Sequence, residues 1–254
     1  MFIDTHCHLT DEYEGGVDAI ITRANAAGVG ALICATAEGL DIKPALKIAD
    51  SYDNIFVTTG IHPDHSNLNP DEYLSDEILN NPSVVGIGEI GLDYHFGTQT
   101  RIQQIKLFEQ QIEIANKHDL PIAIHTRDAE NDTIAILNNH KKAQGVMHCF
   151  TSGWDLAKVM LDRGFYFSAS GILTFKNAES IRETFIKIPN DRIVIETDSP
   201  YCAPVPYRGK TCEPAFVIET AKVLAQIKNL QIDELEDILF ENTQRLYKKC
   251  HVKL

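Results

Sequence analysis

Residues 100–126 read TRIQQIKLFEQQIEIANKHDLPIAIHT, and two different periods meet inside them. Ile102, Ile105, Phe108, Ile112 and Ala115 recur at helical spacing, which predicts a helix with one apolar stripe. The run LPIAIHT then reads as a strand. Pro121 opens it, where a missing amide is tolerated, and His125 stands at its polar end. A helix feeding a short apolar strand is an alternation that the rest of the chain continues.

Seven further strand-like runs flank this one: MFIDTHCH (1–8), GALICAT (30–36), NIFVTTG (54–60), SVVGIGEIG (83–91), GVMHCF (145–150), FYFSAS (165–170) and RIVIETD (192–198). Helical stretches separate them, and a final helix carries the stripe Leu235, Ile238, Leu239 and Leu246. Eight strands alternating with helices in about 250 residues predict an α/β fold, a (β/α)₈ or TIM barrel. An open doubly wound sheet would carry a glycine-rich phosphate turn after its first strand, and none follows MFIDTHCH. A single domain over residues 1–254 is expected. One long loop, SPYCAPVPYRGKTCEP (199–214), follows the eighth strand, and loops of this length are commonly functional.

Composition narrows the function classes. With 44% hydrophobic residues in 254, the chain can bury a large core. A formal net charge of −13 argues against a generally basic nucleic-acid surface, while leaving room for local phosphate contacts. No apolar run approaches the roughly 20 residues that span a bilayer, and no secretory signal is visible. A cytoplasmic protein without membrane attachment is expected. Cys7, Cys34, Cys149, Cys202, Cys212 and Cys250 include no Cys-x-x-Cys pair. They read as reduced packing thiols rather than disulfides or thiolate metal ligands.

The polar residues share an address. In the first run, alternation puts Asp4, His6 and His8 on one face. His62 follows the third run, and Glu89, His125, His148 and Asp198 close the fourth, fifth, sixth and eighth. All lie at the carboxyl ends of strands, where barrel enzymes build their sites. Crowding four histidines (His6, His8, His125, His148) and two acids (Glu89, Asp198) on one rim is costly without a partner that cations supply. Nitrogen and oxygen donors suit zinc, manganese, cobalt or iron, and magnesium less well. Six ligands exceed the three that an open catalytic zinc takes. They suit two divalent ions about 3.5–4 Å apart with a carboxylate between them.

The segments DTHCH, GIHP, GEIGLDY, IHTRDA, HCF, SGILTF and ETDSPYCAP with PYRGK and EP together resemble the TatD family of metal-dependent hydrolases, within the amidohydrolase superfamily. The resemblance runs from residue 2 to about residue 247. It implies a barrel hydrolase using two divalent ions, most often described as a deoxyribonuclease with 3′-to-5′ exonuclease activity. It further implies that His6, His8, Glu89 and Asp198 hold one ion, and Glu89, His125 and His148 the other. Glu89 is then the bridge, and Asp198 the acceptor of a proton from an activated water. Some family members are linked to removal of D-amino acids from tRNA, so ester or amide hydrolysis on an aminoacyl-tRNA is the alternative.

Around these, Glu196 shares the Asp198 strand face one layer deeper and is expected to orient a ligand. His62 is expected to contact substrate. Arg127, two residues beyond His125, faces the same mouth, and Lys176, Arg208 and Lys210 lie on rim loops. These are the candidates for binding nucleic acid, or another phosphorylated substrate, locally at the rim. Tyr94 and Phe175, also on rim loops, are candidates for stacking a base.

Overall fold

The computed structural model of the chain describes residues 1–10 and 13–252. Its strands are β1 (Phe2–Cys7), β2 (Val29–Ala35), β3 (Ile55–Thr58), β4 (Val84–Asp93), β5 (Ile122–Arg127), β6 (Gly145–Met147), β7 (Tyr166–Ala169) and β8 (Ile193–Ile195). They pair in sequence order, every neighbour parallel, in one eight-stranded sheet. The helices around it are α1 (Gly16–Ala26), α2 (Ile42–Ala49), α3 (Asp76–Leu79), α4 (Arg101–His118), α5 (Glu130–Asn139), α6 (Trp154–Asp162), α7 (Glu179–Lys187), α8 (Val217–Lys228) and α9 (Ile232–Leu246). The sheet curls into the expected barrel.

The seam between β8 and β1 is held by side chains together with backbone bonds from His8 to Ser199 and from Asp198 to His6. A single bridge pairs Cys7 with Ser199. Around it, Thr5 Oγ1 donates to the Ile195 carbonyl at 2.9 Å, and Asp4 Oδ1 accepts from the Thr197 amide at 2.9 Å. The Thr197 hydroxyl donates to Asp4 Oδ2 at 2.5 Å. The expectation that Asp4 joins His6 and His8 is therefore corrected: its carboxylate is occupied in closing the barrel. The register of β1 against β2 shifts between Asp4 and Cys7, which breaks the simple alternation on which that expectation rested.

Alternation holds on the later strands and decides what enters the barrel. Ala123, Val146 and Val194 pack inside with Ile3, Ile33, Phe56 and Val85, above Leu246, Tyr247 and Cys250 at the end of the chain. Two residues further along the same faces stand His125, His148 and Glu196. Burying this interior on one side and the helix-facing layer on the other supplies most of the driving force for folding.

Helix α4 departs from its predicted stripe. Ile102 is 77% exposed, and the buried face carries Gln104, Leu107 and Gln111 beside Phe108, Ile112 and Ala115. The glutamines are buried because each saturates a backbone amide and carbonyl on the adjoining barrel. Gln104 accepts from the Asp93 amide at 2.9 Å and donates to the Asp93 carbonyl at 2.8 Å. Gln111 does the same at Ile61, at 2.8 and 3.0 Å. A buried polar residue with both bonds made is tolerated, and here it fixes two rim segments that carry Asp93 and His62.

Candidate metal centre

Glu89 sits inside β4 rather than at its end, because β4 runs on to Asp93. The register with β5 shifts between Ile87 and Ile90, so Glu89 lies on an irregularity in the strand. Glycines allow the close approach. A Cβ on Gly88 would come within 2.6 Å of the Ala123 side chain, and one on Gly91, at φ 142°, within 2.0 Å of the His125 carbonyl.

The Glu89 side chain is buried, and its two oxygens face different groups. Oε2 lies 3.5 Å from His6 Nε2 and 3.9 Å from His8 Nε2, and Asp198 Oδ1 stands 3.9 and 3.7 Å from the same nitrogens. Oε1 lies 2.8 Å from His125 Nδ1, 3.1 Å from His148 Nε2 and 3.6 Å from His62 Nε2. The structure therefore gathers the other five predicted ligand residues about the Glu89 carboxylate, with His62 beside them. His6 stacks on His148 with ring centroids 3.9 Å apart, and His62 meets His125 edge-on at 4.6 Å.

A cation fits this donor set, and His6 is the reason. Its ring is 1% exposed, and neither of its nitrogens has a hydrogen-bond partner. A buried polar atom left unpaired costs about 1–3 kcal/mol, and a metal ion on Nε2 removes that penalty. With bonds of about 2.0–2.2 Å, tetrahedral N and O ligands stand about 3.4 Å apart, close to the shorter spacings around Glu89 Oε2. His6, His8 and Asp198 form one ligand-spaced group, and His6, Glu89 and His148 another.

Each histidine on the Oε1 side carries a second carboxylate behind it. His125 Nε2 is 2.9 Å from Asp93 Oδ2, and His148 Nδ1 is 2.9 Å from Glu196 Oε1. Such pairing fixes the ring and raises its basicity as a ligand. Glu196 is almost fully buried and also accepts from the Cys149 amide at 2.7 Å, placing it where the sequence predicted an orienting acid. Asp93, within GEIGLDY, is a site residue that lies outside the predicted ligand set. Its signal is the even spacing from Glu89 along β4.

The protein groups themselves polarise strongly. Burial disfavours charge on His148 and His125, but the Glu196 and Glu89 carboxylates hold His148 well above the ordinary imidazole range. Asp93 and Glu89 likewise raise His125 to about 9. Against the same burial, His148 and His125 hold the Glu89 carboxyl well below the carboxylate range. For Asp198, burial is outweighed by the hydrogen bond with His8 and by the charges of His148 and His6, so its carboxyl is also lowered. His6 and His62 are driven down, His6 first by burial and then by His148, and His62 first by burial. Cations entering this group displace imidazole protons.

Of the predicted phosphate-binding residues, Arg127 is tied to this centre through Asp93. The Arg127 guanidinium lies 5.7 Å from the Phe96 ring and 4.0 Å from Asp93 Oδ2. Arg208 stacks on Phe175 at 3.6 Å, and Lys210 lies 5.7 Å from the Tyr207 ring. Lys176 is exposed after the loop that follows β7. Tyr94 is half-buried, and its hydroxyl donates to Asp132 Oδ2 at 2.7 Å. Phe96, 83% exposed, and Tyr201, 63% exposed and 6.0 Å from the His8 ring, are aromatic groups that the sequence reading did not select.

Comparison with known proteins finds metal-dependent hydrolases. The profile of the family described as TatD related DNase matches residues 3–248. The uncharacterised metal-dependent hydrolase YabD of Bacillus subtilis is 37% identical over 253 residues, covering 98% of this chain and 99% of that protein. The uncharacterised metal-dependent hydrolase YcfH of Escherichia coli K12 is 37% identical over 251 residues, covering 96% and 95%. Among solved structures, the TatD homologue YjjV of E. coli superposes with a TM-score of 0.90 at 28% identity, covering 97% and 98% of the two chains. A TatD family hydrolase of Entamoeba histolytica superposes at 0.83 and 26%, covering 97% of each chain.

Proposed function

Because the chain belongs to the TatD family of metal-dependent hydrolases, we propose that it cleaves phosphodiester ends of DNA, acting as a 3′-to-5′ exonuclease with two divalent ions. The observation that carries this reading is the division of Glu89, whose two oxygens face two separate groups of ligands. His6, His8, Asp198 and Glu89 Oε2 would hold one ion, and Glu89 Oε1, His125 and His148 the other. Bound there, the ions supply an activated water near neutral pH and neutralise charge growing on the phosphoryl oxygens.

The chain's own residues do the rest. Asp198, ionised at neutral pH by its His8, His148 and His6 surroundings, accepts the proton of the attacking water and returns it to the leaving oxygen. Asp93 and Glu196 keep the His125 and His148 rings in fixed orientation. His62, on the open side of His125, and the Arg127, Arg208, Lys176 and Lys210 side chains receive the phosphates. A net charge of −13 favours a short strand end over long duplex coverage. The family's description as a DNase and the aromatic–basic pairs at the rim favour a nucleic acid substrate over a free aminoacyl ester.

The test is a screen of the purified, manganese- or magnesium-supplemented chain against single-stranded DNA, RNA and D-aminoacyl-tRNA. Stepwise shortening of DNA from its 3′ end is expected. Release of a D-amino acid with DNA left intact would transfer the site to deacylation. In the same assay Arg208→Ala is expected to weaken binding of a short oligonucleotide by roughly tenfold, the value of one charge-assisted contact of about 1.5 kcal/mol. Equal affinity removes Arg208 from the substrate path.

A further inference from the structure

We propose that Cys149, Cys202 and Asp198 form an outer cation site bearing two thiolates, suited to a soft d¹⁰ ion such as zinc or cadmium, that adjoins the imidazole–carboxylate centre through Asp198. Cys149 follows His148 in the loop after β6, and Cys202 lies in the long loop after β8. No sequence spacing announces the pair, yet the fold brings it together at the rim.

One sulfur or oxygen from each of the three residues lies within 4.8 Å of the others. Cys202 Sγ is 3.4 Å from Asp198 Oδ2. A tetrahedral zinc with bonds of about 2.3 Å to sulfur and 2.0 Å to oxygen places S and O about 3.5 Å apart, and two sulfurs about 3.8 Å. The Asp198 carboxylate is divided as Glu89 is: Oδ1 faces His6 and His8, while Oδ2 faces Cys202. A separate oxygen is thus available to each site.

The backbone supplies an independent observation. Cys149, Asp198 and Cys202 have φ of 40°, 59° and 54°. The other described non-glycine residues at positive φ are Asp119, Asp128 and Asn229, types that enter the left-handed region readily. Cysteine has no such ease, and strain of this kind is retained where the surrounding structure requires a side chain to point one way. Here it turns two sulfurs onto one carboxylate. Cys149 is also held from behind, by its amide on Glu196 Oε1 at 2.7 Å and its Sγ against Ser170 Oγ at 3.1 Å. Cys7, Cys34, Cys212 and Cys250 are buried, whereas Cys149 and Cys202 are half-buried and reachable from the rim. An ion held here would give these two a role beyond the packing expected of all six. Thiolates select soft ions over magnesium or manganese, so in a manganese-loaded chain a soft ion distinguishes the outer site. Binding releases the thiol protons to solvent. If Asp198 is the proton acceptor of the proposed hydrolysis, an outer ion on Oδ2 slows that reaction.

The experiment titrates cadmium into the manganese-loaded chain, kept reduced by a phosphine, and follows thiolate-to-cadmium charge-transfer absorption in the near ultraviolet. One equivalent is expected to develop the band, and Cys149→Ser with Cys202→Ser to abolish it. In the unmutated chain cadmium is expected to slow iodoacetamide alkylation of Cys149 and Cys202 at least tenfold, read by peptide mass spectrometry. That second readout requires no variant to fold. Absence of the band, its survival at full height in the double variant, or unchanged alkylation of both thiols overturns the site. None of these readouts depends on hydrolysis, so failure of the nuclease reading leaves them interpretable. Slowing of hydrolysis by cadmium in the unmutated chain, relieved in the double variant, tests the consequence for Asp198.

Discussion

Asp198→Asn is expected to lower kcat by about 10³-fold or more at saturating metal, because it removes a proton acceptor worth about 10²–10⁴ together with one negative ligand. Asparagine is the better replacement for a physical reason. Asp198 has φ 59°, which asparagine adopts readily, whereas alanine pays roughly 1–2 kcal/mol there. The amide of residue 198 donates to the His6 carbonyl at 2.9 Å, a backbone bond that either variant keeps. Far-ultraviolet circular dichroism and the melting temperature should therefore stay near those of the unmutated chain for Asp198→Asn. Alanine should melt somewhat lower with the same loss of rate. Unchanged turnover in the asparagine variant would remove Asp198 from the proton-transfer role.

Glu89→Ala is expected to reduce bound metal from two ions per chain to one or none. Both ligand groups lose a donor at once, since His6 and His8 face one oxygen while His125 and His148 face the other. The metal-stripped variant should also lose about 3–5 kcal/mol of stability, the usual cost of removing one partner from a buried ionic pair. His125 and His148 are raised partly by Glu89. The sign follows: a histidine held above its unfolded value stabilises at low pH and loses that contribution as pH rises through its folded value. The deficit of Glu89→Ala should thus be greatest near pH 6 and shrink above pH 9. Elemental analysis and urea unfolding measure the two effects. Two tightly bound ions in the variant would end the bridging assignment.

The barrel was legible because strands buried on both faces read as short continuous apolar runs, and eight of them alternate with helical stretches. Ala123 with His125, Val146 with His148, and Val194 with Glu196 and Asp198 each mark an inward face, and the rim address follows from direction alone. Asp4 was misplaced because a register shift in β1 leaves no trace in the order of residues. Ile102 was assigned to the core and Gln104 and Gln111 were not, since hydrophobicity cannot anticipate a glutamine that pairs with backbone groups on a neighbouring strand. Their seven-residue spacing on the face of Phe108 and Ile112 was the available clue. Asp93 was hidden by the same limit, as β4 runs two residues beyond its apolar run. Cys149 and Cys202 meet only through the closure of two loops over β7, which no local pattern encodes.

The central claim is that Glu89 lies between two cations held by strands from around the barrel. Anomalous diffraction from crystals of the manganese-loaded chain tests it directly. Two peaks about 3.5–4 Å apart are predicted, one beside His6, His8 and Asp198 and the other beside His125 and His148, with a Glu89 oxygen on each. Peaks remote from Glu89, or none at manganese concentrations that saturate turnover, would contradict the account.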